Sequence, residues 1–271
     1  MPPAYTAQQK TAIVNFTSIT GTDRTSAARI LKAHSWNVES AINGYYSGSI
    51  APATNPHAPS LNKIFDKYRD APSDSPDNIN TEGMMEFLEA IKVPVEDIGM
   101  LIVSEIVKSP SMGEIARDGF VQGWTIANIG DLKSMAAFVS RRRESLSNEL
   151  STFRRIYKHS FFVAKPPNQK SAPLESALEF WKVLFQSPGL EWRSANTPWL
   201  DYWLEFLEAK WKKSVNKDMW DQTLAFAEKT LLDESLSWWD ENGAWPGVVD
   251  DFVEWVKERR GDAKEEMDLD Y

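Results

Sequence analysis

The 271-residue sequence contains no cysteine and only three histidines. The absence of cysteine excludes disulfides, thiol catalysis, iron–sulfur clusters and thiolate zinc sites. The histidines are far apart, and no His-Glu-x-x-His motif occurs. The glycine-rich phosphate loops and the Gly-x-Ser-x-Gly nucleophile turn are absent as well. The sequence therefore predicts no catalytic residue, no metal site and no cofactor.

Long hydrophobic runs are also missing. The longest purely aliphatic run is residues 100–103, whereas a membrane helix needs about 20 apolar residues. The N-terminus has neither the apolar core of a signal peptide nor a Met-Gly myristoylation start. With 39 acidic and 30 basic side chains the net charge is −9, which disfavours nucleic acids and anionic membranes. We expect a soluble cytoplasmic or nuclear protein with no membrane and no nucleic-acid partner, for which a basic protein is the natural complement.

The helical pattern predicts an all-α fold in two units. Most of the 15 prolines and 13 glycines lie between apolar-periodic stretches, and strand-like alternation is nearly absent. Residues 1–47 contain three short amphipathic segments, which predict a small three-helix bundle. Residues 48–60 are rich in proline and small residues and predict a linker. The larger domain is predicted over residues 61–260, followed by an acidic tail over residues 261–271.

Two segments of the larger domain resemble EF-hand loops that have lost their ligands. With Ile79 and Ile115 placed at position 8 of each loop, position 1 is Pro72 in the first loop and Lys108 in the second. Glycine occupies position 12 in both loops, where a calcium site has its bidentate glutamate. We therefore predict degenerate EF-hand-like pairs that do not bind calcium.

The most distinctive sequence segment lies near the C-terminus, from Trp238 to Trp255. Pro246 suits the first turn of a helix, and an apolar stripe follows it. Acidic residues at the starts of helices, such as Asp218 and Asp250, have an ordinary explanation, since they interact favourably with the positive helix end. Composition alone favours that explanation.

This C-terminal segment nevertheless resembles the corresponding sequence of the defective-in-cullin-neddylation proteins. The resemblance rests on residues 243–255 and 217–220 and extends over nearly the whole chain, with further matching segments at residues 61–68, 161–165 and 178–181. Residues 1–47 resemble a ubiquitin-associated domain, and the larger part resembles the potentiating-neddylation domain. The resemblance implies a non-catalytic scaffold that stimulates transfer of a ubiquitin-like modifier to a cullin lysine.

The family's binding residues carry over onto defined positions. The cullin-binding patch, which contacts the winged-helix region at the cullin C-terminus, corresponds to Asp218, Ala244 and Asp250. A pocket for the acetylated N-terminal methionine of the neddylation conjugating enzyme corresponds to seven apolar positions. These are Met84, Met100, Leu101, Val103, Met112, Ile115 and Val163. The alternative for each of the seven is an ordinary core residue.

Other functions remain open on the sequence alone. Residues 7–47 are expected to bind ubiquitin or a ubiquitin-like modifier, and a ubiquitin-binding adaptor with no role in modifier transfer is the main alternative function. A hydrolase built on paired carboxylates is a third hypothesis, which no motif supports. A pull-down with a cullin C-terminal domain separates the first two hypotheses.

Overall fold

Helices form nearly all of the regular secondary structure of the protein, whose computed structural model describes residues 5–47, 56–240, 243 and 245–269. The described residues contain thirteen α-helices and four two-residue strands, which confirms the all-α prediction. The helices are α1 (Ala7–Thr20), α2 (Arg24–Ala33), α3 (Val38–Ser47), α4 (Ala58–Tyr68), α5 (Thr81–Ala90), α6 (Ile98–Val107), α7 (Arg117–Ile126), α8 (Leu132–Ser145), α9 (Leu150–Ala164), α10 (Leu174–Leu184), α11 (Trp199–Phe206), α12 (Lys217–Leu232) and α13 (Gly247–Leu269). The strands are β1 (Asn78–Ile79), β2 (Ile115–Ala116), β3 (Ser171–Ala172) and β4 (Val215–Asn216). Among these residues no helix is both long and apolar enough to cross a membrane.

Helices α1–α3 form a bundle with its own core. Ile13 and Phe16 of α1 pack against Ala27 and Leu31 of α2 and against Ala41 of α3, and all five are buried. The Asp23 side chain caps α2 by accepting hydrogen bonds from two backbone N–H groups of its first turn. The three helices therefore follow from the apolar spacing and the capping residues of the sequence.

Helices α4–α13 share a second, continuous core. Helix α4 begins at Ala58, inside the predicted linker, because Pro59 suits the first turn of a helix, where no N–H donor is needed. At the other end, α13 continues to Leu269 and so covers much of the predicted acidic tail.

Two short antiparallel pairings join the loops between helices. In the first, β1 pairs with β2 and Ile79 lies opposite Ile115, as the EF-hand-like placement of these residues requires. In the second, β3 pairs with β4, with Ala172 opposite Val215. The second pairing was not predicted, and it places the start of α12 beside the loop before α10.

A single guanidinium ties the first pair of loops together. Arg117 donates hydrogen bonds to Asp77 Oδ1 (2.7 Å), Asp66 Oδ1 (2.8 Å), Asn62 Oδ1 (3.0 Å) and the Pro76 carbonyl (3.0 Å). Its hydrogen bond also lowers the pKa of the Asp66 carboxyl below the usual value. A side-chain cation therefore bridges α4, the β1 loop and the start of α7.

Buried aromatic side chains lock three helices of the larger core. The Tyr157 hydroxyl on α9 donates to the Trp220 carbonyl (2.7 Å) on α12 and accepts from Trp181 Nε1 (2.9 Å) on α10. Trp220 Nε1 in turn donates to the Tyr157 carbonyl (2.9 Å), and its ring stacks on Trp181. Because polar groups inside a core must find partners, this network fixes the relative position of α9, α10 and α12.

Candidate functional site

Asp218 lies exposed in the first turn of α12. Asn216 caps this helix, its side-chain oxygen accepting the Met219 N–H at 2.8 Å. The structure gives Asp218 no hydrogen bond and no ion pair with any described side chain. The carboxylate is therefore not needed as a cap, and it stands in solvent at the positive end of a helix whose next turn is anchored by Trp220.

Asp250 lies half-buried in the first turn of α13. Its Oδ1 accepts a hydrogen bond from Trp239 Nε1 at 3.2 Å, while Lys257 Nζ lies 4.1 Å from the centre of the Trp239 ring. This carboxylate thus holds Trp239 against the first turn of α13 and is still partly exposed to solvent. Ala244, the third predicted member of the patch, lies outside the described residues.

Aromatic contacts join α12 to the segment that leads into α13. Phe226 of α12 packs edge-on against Trp238 (5.6 Å between ring centres) and Trp245 (5.9 Å). Trp238 and Trp245 also contact each other at 5.7 Å. Such pairs contribute about 0.5–1.5 kcal/mol each beyond their burial, so the two helices that carry the aspartates rest on one aromatic cluster.

The two aspartates supply hydrogen-bond acceptors for the recognition of a basic partner. Asp218 and Asp250 each stand in the first turn of one of two packed helices, and carboxylates accept charge-assisted hydrogen bonds from lysine or arginine. Within the described residues no group of three His, Cys, Asp or Glu side chains is arranged to hold a metal ion. The geometry suits docking of a basic protein surface.

The seven predicted pocket positions divide into two sets. Six are buried in the larger core, on α5, α6, β2 and α9: Met84, Met100, Leu101, Val103, Ile115 and Val163. Met112 differs, because 52% of its surface is exposed in the loop before β2. A core residue and the lining of an apolar pocket are both expected to be buried, so burial does not distinguish the two. The methionine pocket therefore stays a prediction.

Sequence reasoning missed the part played by Trp239. Its indole bond to Asp250 spans eleven residues and a turn, and no spacing rule reports it. The only sequence signal was the paired Trp238-Trp239 beside an otherwise polar turn.

Known proteins match this chain over almost its whole length. Residues 134–255 match the family model described as cullin binding, and residues 10–50 match the one described as a UBA-like domain. A Pyricularia oryzae protein named Defective in cullin neddylation protein 1 is 34% identical, with 98% of this chain and 99% of that protein aligned. Proteins of the same name from Yarrowia lipolytica (30% identical; 94% and 98% aligned) and Cryptococcus neoformans var. neoformans (32%; 92% and 94%) are also similar. Asp218 and Asp250 both fall inside the cullin-binding match.

Proposed function

The chain belongs to the defective-in-cullin-neddylation family and has its cullin-binding region at residues 134–255, and on this premise we propose that it promotes cullin neddylation as a non-catalytic scaffold. It would bind the winged-helix region of a cullin through the patch that contains Asp218 and Asp250. It would bind the loaded conjugating enzyme through the EF-hand-like part of the domain. We place this activity in the cytoplasm, the nucleus or both.

One observation supports the cullin-binding surface above all others. Asp218 is exposed at the positive end of α12, with no bond or ion pair to a described side chain, so a partner can reach its carboxylate without breaking an existing contact. Asn216 already performs the capping, so the charge of Asp218 is left for a partner. In a chain of net charge −9, a partner with lysine or arginine at the contact is the complement.

A scaffold of this kind needs no reactive group of its own. Holding two reactants in the correct orientation removes much of the entropic barrier between them. Acetylation removes the charge of an N-terminal amine, so an acetylated methionine suits an apolar pocket. The six buried residues on α5, α6, β2 and α9 supply side chains of that character.

A reconstituted reaction tests the proposal. Purified cullin C-terminal region and limiting loaded conjugating enzyme are mixed with wild-type protein, with Asp218→Lys, or with Glu39→Lys as a control, which reverses an exposed acidic charge in the first turn of α3. We expect the wild type and the control to raise the neddylation rate and Asp218→Lys to lose most of the stimulation. Equal stimulation by all three proteins would remove the patch from the function. No stimulation by any of them would remove the function itself.

A second candidate is the ubiquitin-binding adaptor, which the UBA-like match over residues 10–50 favours. The bundle has its own core, and Val14 and Ile19 of α1 are more than half exposed, as an apolar contact surface requires. Titrating ubiquitin into labelled protein and following the resonances of residues 7–47 by NMR tests it. Shifts confined to these residues, together with unchanged neddylation, would favour the adaptor.

A further inference from the structure

A cleft of about 820 Å³ separates the N-terminal bundle from the larger domain. One wall is the α1–α2 turn and the start of α2, and the other is formed by α8, α9 and the ends of α6 and α7. Ser26 Oγ reaches the Ile126 carbonyl across it at 3.4 Å. At Gly21, in the left-handed conformation (φ 67°), an added Cβ would lie only 2.7 Å from Arg155 Cδ. The cleft is therefore a narrow space with polar groups on both sides.

Three arginines line this cleft, and none is well satisfied. Arg142 is half-buried with its guanidinium over the Phe138 ring, and its one side-chain hydrogen bond within the described structure is a long one (3.5 Å) to Thr152 Oγ1. Arg141 is exposed and has no ion pair with a described residue.

The third arginine, Arg155, shares the carboxylate with which it forms its ion pair. Its Nε lies 3.7 Å from Glu105 Oε1, which is already bonded to Lys108 Nζ at 2.8 Å. Burial and the positive charge of Arg155 both lower the pKa of Arg142. The two guanidiniums thus repel each other in a space that supplies few acceptors.

Several arginines elsewhere in the chain form short ion pairs. Arg117, Arg143, Arg154 and Arg259 each form an ion pair of 2.6–2.9 Å with an aspartate or glutamate. Since a guanidinium has five donors in a fixed fork, short carboxylate contacts satisfy a partly buried arginine well. The cleft arginines lack them.

The three carboxylates of the cleft already accept hydrogen bonds from other groups. Asp23 accepts from the first turn of α2, Glu105 pairs with Lys108, and Glu149 accepts a hydrogen bond from Thr152 Oγ1 at 3.1 Å. Together with Lys108 the arginines outnumber these acids by four to three, in a chain whose net charge is −9. Donors on Arg141, Arg142 and Arg155 remain available.

We propose that this cleft binds a small ligand bearing more than one phosphoryl group. Guanidinium forks match phosphate oxygens in bidentate geometry, and the hydroxyl-bearing residues Thr22 and Ser26 line the opposite wall. The volume lies within the range of about 300–1,000 Å³ typical of small-molecule sites, which is more space than one phosphate fills. Because both walls contribute, a bound ligand also fastens the N-terminal bundle to the larger domain.

Calorimetric titration of the full chain with inorganic tripolyphosphate tests the site. The double variant Arg142→Gln/Arg155→Gln is compared with Arg143→Gln/Arg154→Gln, which removes the same charge from arginines outside the cleft. We expect saturable binding by the wild type, a loss of about tenfold or more in the cleft variant, and a change within about threefold in the control. Orthophosphate is expected to bind more weakly, and sodium sulfate at equal ionic strength not to substitute.

Two results would overturn the proposal. One is the absence of saturable binding to the wild type. The other is an equal loss in both double variants, which would show a general charge effect. If the cleft variant fails to fold, Arg141→Gln serves instead, because an exposed arginine without an ion pair is replaced at little cost to folding. Unchanged affinity of Arg141→Gln would then also contradict the site.

Discussion

Replacing Asp250 by asparagine is expected to separate the binding role of this residue from its role in folding. Asparagine keeps a side-chain oxygen that can accept the Trp239 Nε1–H, now 3.2 Å from Oδ1, but it removes the charge. Loss of a negative charge from the first turn of a helix costs only about 0.3–1 kcal/mol. The free energy of unfolding should therefore change little.

Binding to the cullin winged-helix region should change far more. Removing one charge-assisted contact at a buried interface costs about 2 kcal/mol or more, which corresponds to a weakening of about 30-fold in Kd. Calorimetry at two salt concentrations measures it, and the difference between wild type and variant should shrink at high salt because the contact is ionic. Asp218→Asn is expected to show the same loss, with an even smaller effect on stability because that side chain is exposed.

Two further variants make the test sharp. Trp239→Phe removes the indole donor but leaves the Asp250 charge, so it should lower stability by about 1 kcal/mol and weaken binding less than Asp250→Asn does. Asp251→Asn removes a charge from the exposed neighbouring position and should change Kd by less than about threefold. Wild-type affinity for Asp250→Asn, or an equal loss in Asp251→Asn, would refute the assignment.

Four other changes have equally definite expectations. Calcium should leave the melting temperature unchanged, since neither EF-hand-like loop has ligands at positions 1 and 12; a saturable rise at micromolar calcium would contradict this. Deleting residues 1–55, which leaves α4 whole, should preserve stimulation of purified neddylation components, and abolished stimulation would show that the bundle is required. Tyr157→Phe removes two buried hydrogen bonds and should lower the free energy of unfolding by about 2–4 kcal/mol, measured by chemical denaturation. The control Tyr68→Phe, in which the hydroxyl accepts from a lysine side chain, should lower it by less than about 1 kcal/mol. Burial, and then the Lys108 charge, lower the pKa of His159 to about 4, so the neutral imidazole stabilises the fold fully above pH 6.5 and less as the pH drops toward 4. Between pH 7 and 5 the free energy of unfolding should fall by about 2 kcal/mol from this group. His159→Gln should lack that part of the pH dependence.

The sequence predicted the helices well, because their determinants are local, but it predicted neither strand pair. Ile79 and Ile115 were placed at equivalent loop positions, and they lie opposite each other in the structure. The second pair, β3 with β4, escaped prediction since two-residue strands such as Ser171–Ala172 show no alternation. The start of α4 was placed too late because prolines were read as linker residues, although Pro59 lies in the first turn.

The candidate binding residues came from the family resemblance and stay predictions, whereas their contacts could not be predicted from the sequence. Asp218 and Asp250 were identified through the family resemblance, whereas the Trp239 bond to Asp250 depends on how a turn folds back onto α13. Met112 was assigned to the methionine pocket through the same resemblance, and its 52% exposure reflects a loop position that hydrophobicity does not encode. The unsatisfied state of Arg142 likewise depends on distances between separate helices.

The bridge made by Arg117 has a consequence for control of the protein. In a calcium-sensing helix pair the bridging cation comes and goes with the concentration of the ion, and the helices change their angle in response. Here the cation that joins the loops is part of the polypeptide, bonded to Asp77 and Asp66, and it cannot dissociate or be chelated. The contact that joins the two loops therefore forms when the chain folds and does not depend on a bound ion. An EF-hand-like helix pair, the arrangement that calcium sensors use, is joined in this chain by a covalently attached cation.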